Sequence, residues 1–229
     1  MVLPKELKSS SEINKKVFIK LSGAKGGKGF FTASSKEELR KELKERIKNG
    51  IIKKQDSDNI TIQEFLSGVR YYIHYFYSPL YEKGAKVGEG RIELLSMDKR
   101  IEPIDENYRA LPNIPQEFFD YTVTGNAPII VRESLIPELI KMGISVVKTS
   151  IELFPPGITG PFCLETVYHP EKGFTTFEIS ARIVAGTNLY PQGSQYSCYI
   201  FPEPMSTGKR IAREINQGII KEELEKIIF

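Results

Sequence analysis

Tryptophan is absent from the 229 residues, and histidine and cysteine occur only twice each. Cys163 and Cys198 lack the spacing of a metal-binding pair, and both read as reduced, intracellular thiols. No apolar run approaches the roughly 18 residues of a membrane span. The start, MVLPKELKSSSE, has no apolar stretch of the kind a signal peptide carries. A cytoplasmic chain without a membrane partner is expected. An excess of one charge is missing too: 32 Lys and Arg against 29 Asp and Glu leave +3, which does not suggest nucleic acid as a partner. Internal repeats and low-complexity tracts are also lacking. The chain is 40% apolar and 27% charged, ordinary for a globular protein and long enough for one large domain or two small lobes.

The richest stretch is PFCLETVYHPEKGFTTFEISARIVAGTN, residues 161–188. PFCLETVYH and FTTFEISAR are rich in β-branched and aromatic residues, with Pro170-Glu171-Lys172-Gly173 between them as a turn, which predicts a β-hairpin. If His169 faces Phe174, Glu165 falls opposite Glu178, and alternation puts Cys163, Glu165, Glu178, Ser180 and Arg182 on one face. Phe162, Leu164, Phe177, Ile179 and Ala181 fall on the other. Two facing carboxylates repel unless a cation or a shared proton lies between them. Mg²⁺ takes oxygen ligands and leaves room for phosphates, so a Mg-nucleotide site is one reading. An exposed polar face with Arg182 neutralising one Glu is the other, and the hairpin alone leaves both open.

Earlier in the chain, residues 1–15 read as a connector. Val17–Leu21 is a strand carrying one charge, Lys20, followed by Gly23-Ala24-Lys25-Gly26-Gly27-Lys28-Gly29 and then Phe30-Phe31-Thr32. Glycines let backbone amides approach an anion, and Lys25 and Lys28 add positive charge. The spacing is not a P-loop, since no Gly precedes Gly27-Lys28 at the required distance and Gly29 follows. Strand, glycine-rich turn and aromatic strand suggest a flexible lid over phosphates, or simply a mobile, lysine-rich surface turn. Ser35-Lys36-Glu37-Glu38 is a capping box opening a helix that Asn49-Gly50 closes. Strands are predicted at 60–66, 71–78 and 92–98, with a charged hairpin loop at 81–91. The segments from Val17 to Phe76 are expected to form a small lobe. His74 reads as a hydrogen-bonded core or ligand-facing residue, and the charges of Asp98-Lys99-Arg100 with Glu102 as a cluster just after a strand that fits a solvated turn. Residues 103–121 read as a surface connection, Gly125-Asn126 as a turn and Pro128–Val131 as a strand. Ser134 is expected to cap a long helix, Cys198–Phe201 to form a strand, and Ser206-Thr207-Gly208-Lys209 to open a final helix broken at Gly218.

The strand Lys20, the glycine-rich lid, the strand Gln63-Glu64-Phe65-Leu66 and the late acidic pair Glu165 and Glu178 together resemble the ATP-grasp ligases. The segments VFIKLSGAKGGKGFFTASS, IHYFYSPL, MDKR, TGNAPIIVRESLIP, PPGITGPFCLE, FEISAR…GTN and GKRIAREI are similar to the archaeal formate-dependent formaminoimidazole-carboxamide ribonucleotide (FAICAR) synthetases, the PurP family. The resemblance covers nearly the whole chain. It implies an α+β fold with ATP held between two lobes, here 16–100 and 101–229. It also implies a reaction in which ATP phosphorylates formate and aminoimidazole-carboxamide ribonucleotide (AICAR) takes the formyl group. By carry-over, Glu165 and Glu178 hold Mg²⁺ (or Mn²⁺), and Lys20, Lys25, Gly26, Gly27 and Lys28 contact ATP phosphates. Gln63, Glu64, Phe65 and Glu102 contact the nucleotide, Asn126 binds AICAR, and Arg182 stabilises the acyl phosphate or the ribonucleotide phosphate. Ser180 departs from the Asn metal ligand of many ATP-grasp enzymes. Residues 1–15 resemble the linker after the family's N-terminal domain. This leaves three readings open: a separate chain carrying that domain as partner, a shortened reading frame, or a nucleotide-binding module that keeps the fold without turnover. A related ATP-grasp ligase with another acid and amine is the remaining alternative. A homo-oligomer is expected as well, although the segments able to serve assembly read equally as surface structure.

Overall fold

The structure, a computed structural model, describes residues 15–25, 28–57, 60–103 and 122–228, with the side chains of residues 22–28 left aside. Residues 1–14 of the expected 1–15 linker, Gly26, Gly27 and nearly all of the 103–121 connection therefore lie outside the described residues, as do the side chains of Lys25 and Lys28.

Two compact units divide first between Leu66 and Ser67. In the first, β1 (Val17–Lys25) lies between β2 (Lys28–Ala33) and β3 (Ile60–Glu64), both antiparallel to it. Helix α1 (Lys36–Lys48) starts where Ser35 Oγ accepts from the Glu38 amide at 3.1 Å, while the Glu38 carboxylate accepts from the Ser34 amide at 2.7 Å. Gly50, at φ +68, follows the Asn49 cap. Ile19, Leu21, Phe31, Ala33, Leu39 and Ile52 form this unit's core.

The second unit is built on a six-stranded antiparallel sheet. β4 (Val69–Ser78) lies between β6 (Gly90–Ile101) and β8 (Gly160–His169), β9 (Gly173–Ser180) flanks β8, and β5 (Ala85–Val87) and β7 (Gly125–Pro128) both pair with β6. Helix α2 (Ile136–Leu153) covers one face through Leu139, Gly143 and Val147. A Cβ on Gly143 would lie 2.5 Å from Ile92 Cδ1, so glycine sets how closely the helix approaches. Beneath it, Tyr75 stacks on Phe162 at 5.1 Å and donates its hydroxyl to the Leu139 carbonyl at 2.8 Å. On the other face, α3 (Thr207–Ile220) inserts Arg210, fully buried, between Glu93 and Glu214, with its guanidinium 4.0 Å from the Phe76 ring.

Several expectations are corrected here. The division at 100/101 fails because β4 is bonded to β8 along nine residue pairs, from Val69↔Tyr168 to Tyr77↔Gly160, so Ser67–Asp105 belongs with the later chain. Asp98-Lys99-Arg100 is not a solvated turn but the end of β6, where Tyr72↔Asp98 pairing continues the ladder. Gly125-Asn126 is strand, because its backbone pairs with Ile101 and Arg100. The 81–91 loop contains β5. Ser134 lies in a single 3-10 turn, and the helix starts later, with Pro137 in its first turn where a missing N–H does no harm. Gln195–Cys198 is a helical turn nucleated by Ser194 Oγ, which accepts from the Tyr196 and Ser197 amides. Gly218 does not break α3; it gives Ile227 room, 3.0 Å from where a Cβ would sit.

Candidate functional site

Within the first unit, strand pairing sorts the candidate residues. Lys20 pairs with Phe30 and Thr61, and Gln63 with Phe18, so Lys20 and Gln63 share the face opposite the Ile19–Leu21 core. Glu64 pairs with Val17 on the other side, exposed at the strand end. Phe65, half-buried, has the Lys16 ammonium 4.8 Å from its ring centre. Lys25 and Lys28 are backbone partners at the tip of the β1–β2 hairpin.

The hairpin of the second unit brings Glu165 and Glu178 together as register partners. It does so by an unexpected route. At the turn His169 pairs with Gly173, not Phe174, and a bulge at Phe177 then restores the offset before Glu178 is reached. Glu165 is 8% exposed while Glu178 is exposed. The Arg100 guanidinium spans both Glu165 oxygens at 3.3 and 3.4 Å and lies 3.7 Å over the Tyr72 ring. Burial pushes the Tyr72 hydroxyl up to about 12, against the pull of Arg100. Burial also raises Cys163, with Glu165 and Asp98 adding to the effect, so this thiol is held protonated rather than as a nucleophile. Strand parity does not reach Arg182: β9 ends at Ser180, and exposed Arg182 donates to the Ile183 carbonyl at 2.8 Å.

Along the same face runs a buried polar chain. His74 Nε2 lies 2.6 Å from Asp98 Oδ1, and Asn126 Nδ2 donates to Asp98 Oδ2 at 2.8 Å. Glu102, also buried, pairs with Arg70 at 2.7 Å. A Cβ on Gly186, at φ +85, would lie 2.5 Å from the Asp98 carboxylate, so only glycine lets that loop close over it. Sequence reasoning left out Tyr72, Asp98, Arg100 and Gly186 as site residues. Extending the 92–98 strand to 101 would have put Ser96, Asp98 and Arg100 on one face, but the run of charges argued for its end.

The carboxylates suit a hard cation, because both are oxygen donors on one face. Among the described residues no group of three His, Cys, Asp or Glu could hold a metal ion. An ion at Glu165 and Glu178 would therefore draw further ligands from water and phosphate, as Mg²⁺ commonly does. Among the described residues no helix is long and apolar enough to cross a membrane.

A family profile described as a domain of unknown function (DUF1297) matches residues 38–229. The chain is 48% identical over 227 residues to the 5-formaminoimidazole-4-carboxamide-1-(beta)-D-ribofuranosyl 5'-monophosphate synthetase of Korarchaeum cryptofilum, covering 99% of this chain and 62% of that protein. The synthetase of Pyrococcus horikoshii is 43% identical over 232 residues, 100% of this chain and 66% of its own length. The chain thus spans less than two thirds of these relatives. Among solved structures, the IMP biosynthesis protein PurP of Thermococcus kodakaraensis matches with a TM-score of 0.61 at 37% identity, over 74% of this chain and 52% of that one. The D-alanine–D-alanine ligase of Bacillus anthracis, 12% identical with a TM-score of 0.53 over 93% of this chain and 57% of its own, shares the fold alone. The chain belongs to the DUF1297 family, is similar over nearly its whole length to these 5-formaminoimidazole-4-carboxamide ribonucleotide synthetases, and has an α+β, ATP-grasp fold.

Proposed function

We propose that this chain carries the nucleotide- and metal-binding part of an ATP-dependent ligase that joins formate to AICAR. A formate oxygen attacks the γ-phosphorus and ADP leaves. The AICAR amine then attacks the formyl carbon, phosphate is expelled, the amine loses a proton, and FAICAR results. Such a reaction depends mainly on positioning and charge neutralisation. The observation that carries the reading is the opposition of Glu165 and Glu178 on a polar sheet face beside Arg100; the printed name of the relatives supplies the substrates.

In this reading Glu165 and Glu178 hold Mg²⁺ (or Mn²⁺), which when bound neutralises phosphate oxygens. Arg100 holds Glu165 in place. Lys20, Lys25 and Lys28, with the amides of Gly26 and Gly27, contact the ATP phosphates, while Gln63, Glu64, Phe65 and Glu102 serve the base and ribose. Asn126 lies in the acceptor site. Arg182 stabilises anionic charge once it exchanges the Ile183 carbonyl for a phosphate oxygen.

The test is ADP release as a function of formate and AICAR, measured with this chain alone and with the N-terminal portion of the Korarchaeum relative added. Release that requires both substrates is expected, and Glu178→Gln is expected to lower it about 100-fold or more, the scale of losing one transition-state charge stabiliser. Release indifferent to formate and AICAR, or undiminished in Glu178→Gln, would overturn the assignment.

A further inference from the structure

We propose that Asp98 and His74 are positioning residues that fix the side-chain amide of Asn126, so that it turns its carbonyl oxygen to the ligand and selects a carboxamide-bearing ribonucleotide over the corresponding carboxylate. The inference rests on the reading of Asn126 as an acceptor-site residue.

An asparagine amide has two unlike ends, one accepting and one donating. Which end faces outward is set by what holds the other. Asn126 Nδ2 is bound to Asp98 Oδ2 at 2.8 Å, and Asp98 Oδ1 lies 2.6 Å from His74 Nε2. Asp98 is fully buried and His74 is 3% exposed. The Asp98 carboxylate accepts from the Asn126 amide and, in the Nε2–H tautomer that a neighbouring carboxylate favours, from His74. Turning the Asn126 amide over would set its oxygen against a carboxylate oxygen, two acceptors face to face in a buried place. Gly186 packs against the same carboxylate, which lies 2.5 Å from where a Cβ would sit, so the loop after β9 covers Asp98 closely. The amide orientation is thereby fixed from three elements: β4, β6 and the loop after β9.

A fixed acceptor meets an N–H well and another acceptor badly. A carboxamide supplies an N–H, whereas a carboxylate offers only oxygens. Strand order says which ligand group arrives there. β7, bearing Asn126, is separated from β8, bearing Glu165, by β6 and β4, roughly 14 Å at about 4.8 Å per strand. A ring held with its reacting amine towards the carboxylate pair turns its neighbouring carboxamide towards Asn126.

The test is calorimetric titration of the chain with AICAR and with the same ribonucleotide bearing a 4-carboxylate. The wild-type chain is expected to prefer the carboxamide about tenfold or more, since a polar group left facing a like partner is strongly rejected. In Asp98→Asn the new amide can donate to Asn126 and turn it over, so the preference should vanish or reverse. His74→Gln keeps an N–H for Asp98 and should keep the preference, while His74→Leu should erode it. A merely structural role would weaken both ligands alike and leave their ratio unchanged. An unchanged ratio in Asp98→Asn, with ATP·Mg²⁺ binding retained, overturns the inference. Should Asp98→Asn fail to fold, an equal ratio in His74→Leu and His74→Gln overturns it as well. A wild-type chain that binds ATP·Mg²⁺ but neither ribonucleotide would instead sink the acceptor-site reading, and this inference with it.

Discussion

Arg100 is held by two unlike partners, a carboxylate at its edge and an aromatic ring beneath its plane. With side-chain exposures of 15% for Arg100 and 10% for Glu165, the pair is shielded from most of the solvent. Replacing Arg100 with Met removes the cation while keeping much of the packing on Tyr72. It should lower stability by about 2–3 kcal/mol, near the bottom of the range for breaking a buried pair. Thermal melts check this, and millimolar Mg²⁺ should restore part of the loss if the ion takes over Glu165. Tyr72 gives a pH signature of its own. Its hydroxyl, ordinarily at 10.0, is raised to about 12 by burial. The contribution is fully present below the unfolded value and is lost as pH rises from about 10 towards about 12, because only the unfolded chain ionises readily in that window. Urea melts should show Tyr72→Phe losing less stability than the parent between about pH 9 and pH 11, by about 1 kcal/mol.

Among the elements, those set by local chemistry could be read directly. Ser35 caps α1 through the predicted hydroxyl, and the 161–180 hairpin pairs Glu165 with Glu178. What escaped was set by distant chain. Asp98 and Arg100 look like solvated charges until β4 is seen to place Tyr72 and His74 beside them, and Asn126 looks like a turn residue until β6 pairs with it. Arg210 was equally hidden, since a basic residue on an amphipathic helix ordinarily faces water. Here it donates to both Glu93 oxygens at 2.8 Å and to Glu214 at 2.8 Å, and Ser78 donates to the other Glu214 oxygen at 2.6 Å. Burial raises Glu93, and Arg210 opposes that rise. Arg210→Met should therefore loosen α3 by about 3–5 kcal/mol, since two carboxylates stay buried without their cation. The loss should appear as a large drop in the urea midpoint.

On the scale of the whole molecule, the two units have separate cores, one around Ile19 and Phe31 and the other around Tyr75 and Phe162. A defect in one core should then leave the other's local protection intact. Gly143→Ala drives a methyl group against Ile92 and Tyr75 and should cost about 1–3 kcal/mol by overpacking. Hydrogen exchange should quicken in β4, β6 and β8 while β1, β2 and α1 keep the parental rate. Acceleration spread evenly across both units would mean that they unfold as a single cooperative body.

Phe177 has a consequence for the chain's tolerance of change. As the surplus residue between the turn and Glu178, it works as a phase corrector: everything towards the tip counts in one frame, and everything towards Glu178 in the next. Excising it would leave Thr176 followed at once by Glu178, so the turn's own count, running on past Thr166↔Thr176, would still set Glu178 against Glu165. The strand would lose its kink and keep its two glutamates opposed, and a one-codon deletion at this position is one the metal pair should survive.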